Sequence, residues 1–304
     1  MAISSNSQAK ISYYLRHTGE IVTEDILGEN MLRWFYEDSF GSTVFNYLFN
    51  NRIFCQVIGK LQDSSWSSRL IPEFVEKYQI NLSELELELG QYHSFNAFFS
   101  RKLKSDARKF VADSQIFCSP GDGKILVYSE LSEATKIPVK GSLITIDSLL
   151  ANQDLVQQFY GGSAFVLRLA PYDYHRFHFP DHGEAQAAKY IEGEYHVVNP
   201  IALNQIPEIF CRNKRTITEF FSQNFGKIAY VEVGANVISS IVQTYSPGKV
   251  TKGQEKGYFQ YGGSTIILLF EPGIINFDED LIHYSAKDME VQLFAGNQIG
   301  TKRF

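Results

Sequence analysis

A serine follows two glycines at Gly262-Gly263-Ser264-Thr265, and the apolar run Ile266-Ile267-Leu268-Leu269-Phe270 comes directly after it. Glycine leaves its own carbonyl unshielded and tolerates strained backbone angles. The Ser264 hydroxyl is therefore placed to attack the peptide bond before it, so that the chain cuts itself after Gly263. Taken alone, a Gly-Ser step is an ordinary turn. Two further clusters supply what such chemistry needs. In Ser119-Pro120-Gly121-Asp122-Gly123-Lys124 a carboxylate sits in a tight turn, a position where Asp commonly serves only the loop itself. Between Ala170 and Gly183 fall His175, His178 and His182, three of the seven histidines in the chain. Such density is one way to build a metal site. However, no cysteine lies nearby and no HExxH helix is present, so no metal is expected and acid/base work by His175 and His178 is better motivated.

Together the clusters give Asp, His and Ser in chain order, the inventory for an activated serine. A serine hydrolase using this triad is the rival reading. A nucleophile elbow, however, has the form Gly-x-Ser-x-Gly between strand and helix. Ser264 instead leads into Thr265 and five apolar residues with no second glycine, which suits attack on its own backbone.

The elements that must hold these residues divide in two. From about Glu24 to Lys109 apolar residues recur three and four apart, as in Leu32, Phe35 and Tyr36, in Val44, Tyr47 and Leu48, and from Ile53 to Leu61. Ser68 precedes another such set, Ile71, Phe74, Val75 and Tyr78, with Pro72 in a first turn. Ser94 is a candidate cap for a short helix carrying Phe95, Phe98 and Phe99, with the basic run Arg101-Lys102-Leu103-Lys104 at its end. After Pro120 short β-rich runs alternate with Gly, Pro, Asn and Asp: Lys124 to Tyr128, Ala164 to Leu169, Thr216 to Phe221, Ile228 to Val233, Thr265 to Phe270 and Glu290 to Phe294. The expected fold class is α+β, an N-terminal helical region packed on a mainly antiparallel β core.

Composition narrows the function classes. A net charge of -6 argues against a general nucleic-acid binder. The three cysteines are far apart and form no zinc pattern. The N-terminus lacks the blocks of a signal peptide, and no window reaches the ~18 apolar residues of a spanning helix. The N-terminal region is rich in bulky rings, among them Trp34, Phe35, Phe40, Tyr47, Phe49, Phe54 and Trp66, which suits a layer packed on the core or a face lying in a membrane interface.

From about Tyr92 onward the chain resembles phosphatidylserine decarboxylases, which are pyruvoyl-dependent. The resemblance rests on Phe98-Phe99-Ser100-Arg101-Lys102-Leu103-Lys104, Ser119-Pro120-Gly121-Asp122-Gly123, Leu169-Ala170-Pro171-Tyr172-Asp173-Tyr174-His175-Arg176-Phe177-His178, Val233-Gly234-Ala235, Lys252-Gly253-Gln254-Glu255-Lys256-Gly257-Tyr258-Phe259 and Gly262-Gly263-Ser264-Thr265. Several spaced motifs in the right order make it specific. The N-terminal third looks like the longer bacterial members, including those of chlamydia-like bacteria. Gly262 stands where the family more often has leucine, and Ser239 where it often has glycine.

The resemblance implies that Asp122, His178 and Ser264 are the self-processing triad and that His175 serves in decarboxylation. Cleavage between Gly263 and Ser264 would turn Ser264 into a covalent pyruvoyl group, the cofactor, which forms a Schiff base with the substrate amine. The reaction implied is that of a carboxy-lyase, phosphatidylserine to phosphatidylethanolamine and carbon dioxide. The implied organisation is a helical, membrane-associating region over residues 1–110 and a β-rich catalytic core over 111–304. After cleavage these become a long β chain of residues 1–263 and a short α chain of residues 264–304. The partners implied are phosphatidylserine, the membrane surface and each cleaved chain for the other, with a higher oligomer open. The implied location is the cytoplasmic face of the cell membrane, held peripherally.

Overall fold

A computed structural model describes residues 12–24, 52–131, 137–139, 142–193, 213–234, 241–261 and 264–303, with isolated positions at 30, 34, 35, 38, 40, 41, 43, 44 and 211. The apolar run after Ser264 forms the strand Ser264–Phe270, and all its residues are buried. It is continuous rather than alternating because both faces of the sheet are covered. Ile267 and Leu269 enter one core with Val166, Val231 and the helical residues Leu149 and Val156. Ile266, Leu268 and Phe270 enter the other with Phe165, Leu167 and Tyr230. Successive side chains point to opposite faces of a strand, so one run feeds two cores.

This strand sits centrally in a sheet that has eleven strands among the described residues. It pairs antiparallel with Gly226–Gly234 on one side and Ser163–Leu169 on the other. Beyond Gly226–Gly234 lies Arg215–Ser222, and beyond Ser163–Leu169 lie Gly123–Tyr128 and then Glu290–Leu293. A small antiparallel sheet of Ile241–Gln243, Glu255–Phe259 and Arg176–His178 carries the histidine motif. A second, of Ile275–Phe277, Gln298–Lys302 and Ile116–Cys118, leads into the Asp122 turn. The architecture is α+β with a mainly antiparallel sheet, as expected.

The strands extend one or two residues past the apolar runs that announced them, for example to Gly226 and Gly234 around Ile228–Val233. Backbone pairing continues where side-chain pattern stops. Only Glu290–Leu293 ends earlier, because Phe294 turns to hydrogen-bond Asn297.

The N-terminal region contains the helices Arg52–Asp63, Ile71–Tyr78 and Phe95–Phe99. Pro72 occupies a first turn and Ser94 caps, its Oγ accepting the Ala97 N–H at 3.1 Å. Ile71, Phe74, Tyr92, Phe95, Phe98 and Phe99 form a separate aromatic core, against which Tyr172 and Tyr261 pack. The region is not helical throughout. Residues 12–23 form a hairpin, Ser12–Leu15 with Glu20–Thr23, which joins the large sheet through parallel pairing with Glu290–Leu293. Its β-prone Tyr and Val residues and the left-handed Gly19 (φ 76°) suit a hairpin, and its dock is far away in sequence. Most of the sets at Leu32–Tyr36 and Val44–Leu48 lie outside the described residues.

Candidate active site

Four chain segments emerge at one end of the large sheet. Ser264 opens its strand opposite Gly234, the last residue of one neighbour, and Leu169, the last residue of the other. The Leu169 strand runs straight into the segment carrying His175 and His178. Asp122 immediately precedes the strand Gly123–Tyr128, whose Lys124 pairs with Arg168. The antiparallel order thus brings Asp122, His175, His178 and Ser264 to the same end, although they span nearly half the sequence. Gly123 is needed there: a Cβ on it would lie 2.4 Å from the Arg168 carbonyl oxygen.

Both sides of the expected cut are held. Ser264 is 1% exposed, fixed by pairing on each side. Three residues earlier, the Tyr261 N–H donates to Asn96 Oδ1 at 3.0 Å, and its ring packs edge-on against Phe95 and Phe99. Asn96 is itself anchored, its amide donating to Asp63 Oδ1 at 2.7 Å. Gly262, Gly263 and Ser239 lie outside the described residues. The neighbouring Thr265 Oγ1 is buried without a hydrogen-bond partner among the described residues.

His178 is half-buried. Its Nδ1 lies 3.0 Å from the Gly253 carbonyl oxygen, an acceptor only, so the proton belongs on Nδ1. Nε2 then carries the lone pair and accepts from the Tyr174 hydroxyl at 3.3 Å. Burial lowers its pKa, with the Gly253 contact opposing. Its backbone N–H donates to the Pro120 carbonyl oxygen at 2.8 Å, tying it to the Asp122 turn.

His175, three residues away, is fully buried, its ring tilted against that of Phe99 with centroids 3.8 Å apart. Its Nδ1 lies 2.9 Å from the Asp173 carbonyl oxygen, which again places the proton on Nδ1. Nε2 has no hydrogen-bond partner among the described residues. Burial, aided by the charge of Arg101, pushes its pKa down to about 3, so the ring is neutral at ordinary pH. His182, the third histidine of the motif, is exposed and accepts the Lys252 N–H at 3.3 Å.

Asp122 is not bonded to either histidine in this structure. Its carboxylate is gripped by Arg108, through Nε at 2.9 Å and Nη2 at 2.7 Å, and accepts the Ala295 N–H at 2.8 Å. Burial pushes its pKa up, against the pull of those contacts. The direct Asp122-to-His178 link expected of a triad is replaced by a carbonyl, Gly253, that fixes the histidine tautomer. Tyr174 bridges the two regions, for it lines a 300 Å³ cavity with Asp122 and Arg108 and reaches His178.

Sequence reading passed over several of these groups. Arg101 reads as part of the basic end of a helix, yet it is 4% exposed, and Arg108 is paired with Asp122. Tyr174 and Asn96 carried no signal beyond their place in a motif or helix. Lys256, in the Gly253 motif, forms a fully buried ion pair with Glu232, and Glu232 also accepts from Thr216. Burial lowers the Lys256 pKa.

These features define a self-contained acid/base site at one end of an antiparallel sheet, built around a buried strand-opening serine. The phosphatidylserine decarboxylase family model matches residues 95–301, which include every candidate site residue. A phosphatidylserine decarboxylase proenzyme of Clostridium novyi (strain NT) is 42% identical over 280 residues, 92% of this chain and 95% of that protein. One from Clostridium botulinum (strain Kyoto / Type A2) is 40% identical over 294 residues, 96% of this chain and 100% of that protein. The chain belongs to the phosphatidylserine decarboxylase family, whose members are carboxy-lyases.

Proposed function

We propose that this chain is a precursor that cuts itself between Gly263 and Ser264 and then converts phosphatidylserine to phosphatidylethanolamine and carbon dioxide. The observation that carries the reading is the position of Ser264. It is a buried, doubly paired residue at the sheet end where His175, His178 and Asp122 converge. A serine hydrolase must show its hydroxyl to an outside carbonyl, and this serine is sealed in a strand.

In the first stage His178 Nε2 takes the Ser264 proton, its tautomer held by Gly253 and its charge, once formed, favoured by the Glu255 carboxylate, while Asp122 braces the turn that holds its backbone. Ser264 Oγ attacks the Gly263 carbonyl carbon, and the Gly263–Ser264 peptide bond becomes an ester as the amine departs. β-Elimination then breaks the Cβ–Oγ bond and leaves a carboxylate on Gly263. Water hydrolyses the resulting dehydroalanine to a pyruvoyl group and ammonia. The strand from 264 to 270 stays locked between its two neighbours, so the cleaved chains remain one heterodimer.

Two buried polar atoms at this end of the sheet, Thr265 Oγ1 and His175 Nε2, have no partner among the described residues, which suits such a group. A pyruvoyl ketone supplies, to an amine substrate, the electron sink into which the carboxylate electrons move. His175 gives the proton that replaces carbon dioxide, a role that its buried, unengaged Nε2 supports. Neutral in the uncut chain, it gains a proton more readily when an anionic substrate offsets the Arg101 charge.

The substrate is reached at a bilayer surface. Among the described residues no helix is long and apolar enough to cross a membrane. Trp34, Phe40 and Trp66 are 41%, 69% and 60% exposed, and Val57 and Leu61 are also open, an apolar set suited to peripheral docking on the cytoplasmic face. Phe35, by contrast, is buried. Tyr47 and Phe49 lie outside the described residues, as does the side chain of Phe54. Arg101 and Arg108 turn inward, which leaves Lys102, Lys104 and Lys109 as the exposed basic residues of that stretch. The test is incubation of the purified, cut protein with phosphatidylserine vesicles. Phosphatidylethanolamine and carbon dioxide in equal amounts are expected, and their absence would overturn the reading.

A further inference from the structure

Arg101 is the least satisfied charged group in the described residues. One terminal nitrogen, Nη2, donates to the Tyr172 carbonyl oxygen at 2.8 Å and to that of Asp173 at 3.1 Å. Nε and Nη1 are buried with no partner, which leaves three N–H bonds without acceptors. The nearby carboxylates are committed elsewhere, Asp122 to Arg108 and Asp173 to Lys124. The guanidinium lies over the Phe98 ring at 5.1 Å, which satisfies none of these donors. A buried cation without an anion is costly, and a buried unsatisfied group calls for a physical reason.

Two features indicate a ligand. Arg101 borders two cavities, of 460 Å³ and 300 Å³, the first also lined by Asn96, Lys102 and Arg176 and the second by Tyr174. It also shares an acceptor with His175, because the Asp173 carbonyl oxygen faces both Arg101 Nη2 and His175 Nδ1. The unpartnered His175 Nε2 and Arg101 nitrogens thus belong to one rigid unit.

We propose that Arg101 anchors the phosphodiester of the substrate headgroup and so sets its amine and carboxylate beside His175. This rests on the decarboxylase reading above. The phosphodiester fits better than the carboxylate on energetic grounds. A guanidinium holding the carboxylate would bind the ground state more strongly than the transition state, where that charge is leaving, and would slow the reaction. The phosphodiester keeps its charge throughout, so its anchor lowers KM with little change in kcat.

The test uses the mature, cut protein and two ligands in calorimetric titration: glycerophosphoethanolamine and 2-(2-hydroxyethoxy)ethylamine, a phosphate-free amine. Wild type should bind the phosphodiester at least roughly tenfold more tightly. Arg101→Gln should abolish that preference, and Arg101→Lys should keep part of it. An unchanged preference in Arg101→Gln, or none in wild type, overturns the proposal. Inorganic phosphate binding as tightly as glycerophosphoethanolamine would reassign the site to free phosphate and overturn it likewise. Should Arg101→Gln not yield folded, cut protein, Arg101→Lys and the wild-type ratio decide. Kinetics separate the two readings. A cut wild type that decarboxylates neither phosphatidylserine nor an O-alkyl serine removes the decarboxylase reading. Turnover of both at equal KM removes only the role of Arg101, for which a KM rise of roughly 30-fold on phosphatidylserine in Arg101→Gln is expected.

Discussion

His175 and His178 lie three residues apart on one segment and share a tautomer, yet their surroundings differ in kind. His178 is half-buried, its Nε2 in reach of the Tyr174 hydroxyl and its backbone tied to the Asp122 turn. His175 is fully buried against Phe99 beside a cation, and its Nε2 faces no partner. A base that must act once on the chain itself can sit where a hydroxyl already reaches it and the Glu255 carboxylate favours its charge. A group that must act on an arriving substrate has to be kept dry, neutral and unoccupied until then. The difference supports the proposal that His178 serves cleavage and His175 decarboxylation.

Replacing each histidine in turn is the sharpest way to break this assignment. His178→Ala should leave the chain uncut on a denaturing gel. His175→Ala should still be cut but lose decarboxylation by about 10²–10⁴-fold, the range for removal of a general acid or base. The reverse pattern would exchange the roles.

Acid stability gives the next largest effect. The His175 pKa falls from 6.5 to about 3 on folding, so between those values the unfolded chain binds a proton that the folded chain does not. Stability contributed by the neutral ring is therefore complete above pH 6.5 and lost as pH falls, with a slope of at most about 1.4 kcal/mol per pH unit. Urea unfolding of uncut Ser264→Ala protein from pH 7 to pH 5 should show this slope, and His175→Asn in the same background should reduce it. Equal slopes would mean that His175 is not held neutral by its site.

Tyr174→Phe removes the hydroxyl at His178 Nε2 and should slow cleavage by roughly tenfold or less, the worth of one hydrogen bond, without changing the decarboxylation rate of the cut fraction. Asn96→Ala frees Tyr261 before the scissile bond and should slow cleavage by only a few-fold, on the order of one backbone hydrogen bond. Time courses of the precursor band measure both. A Tyr174 effect on decarboxylation alone would blur the boundary between the two histidine regions.

Much of this site was legible because its parts sit in local patterns. Ser264 announces itself by the glycines before it and the apolar run after it, and Asp122 by its Pro/Gly turn. The strand that Ser264 opens needs no tertiary information, since a run buried on both faces is apolar throughout. What the sequence hid depends on contacts between distant segments. Arg101 follows a helix, where a basic residue ordinarily meets water; only the Tyr172–Asp173 carbonyls, 71 and 72 residues away, draw it inward. The Asp122 carboxylate was expected on His178, but Arg108 offers a fork and wins it. The hairpin at 12–23 docks on residues 290–292, a pairing no local pattern encodes.

The central claim is that Ser264 is consumed to make the reactive group. Intact-mass spectrometry of the mature protein, before and after borohydride reduction, tests it most directly. The expected result is two chains, residues 1–263 and a fragment beginning at position 264 whose N-terminus is a ketone and gains two hydrogens on reduction. A fully active preparation consisting of one uncut chain, or a fragment beginning with an intact serine, would contradict it.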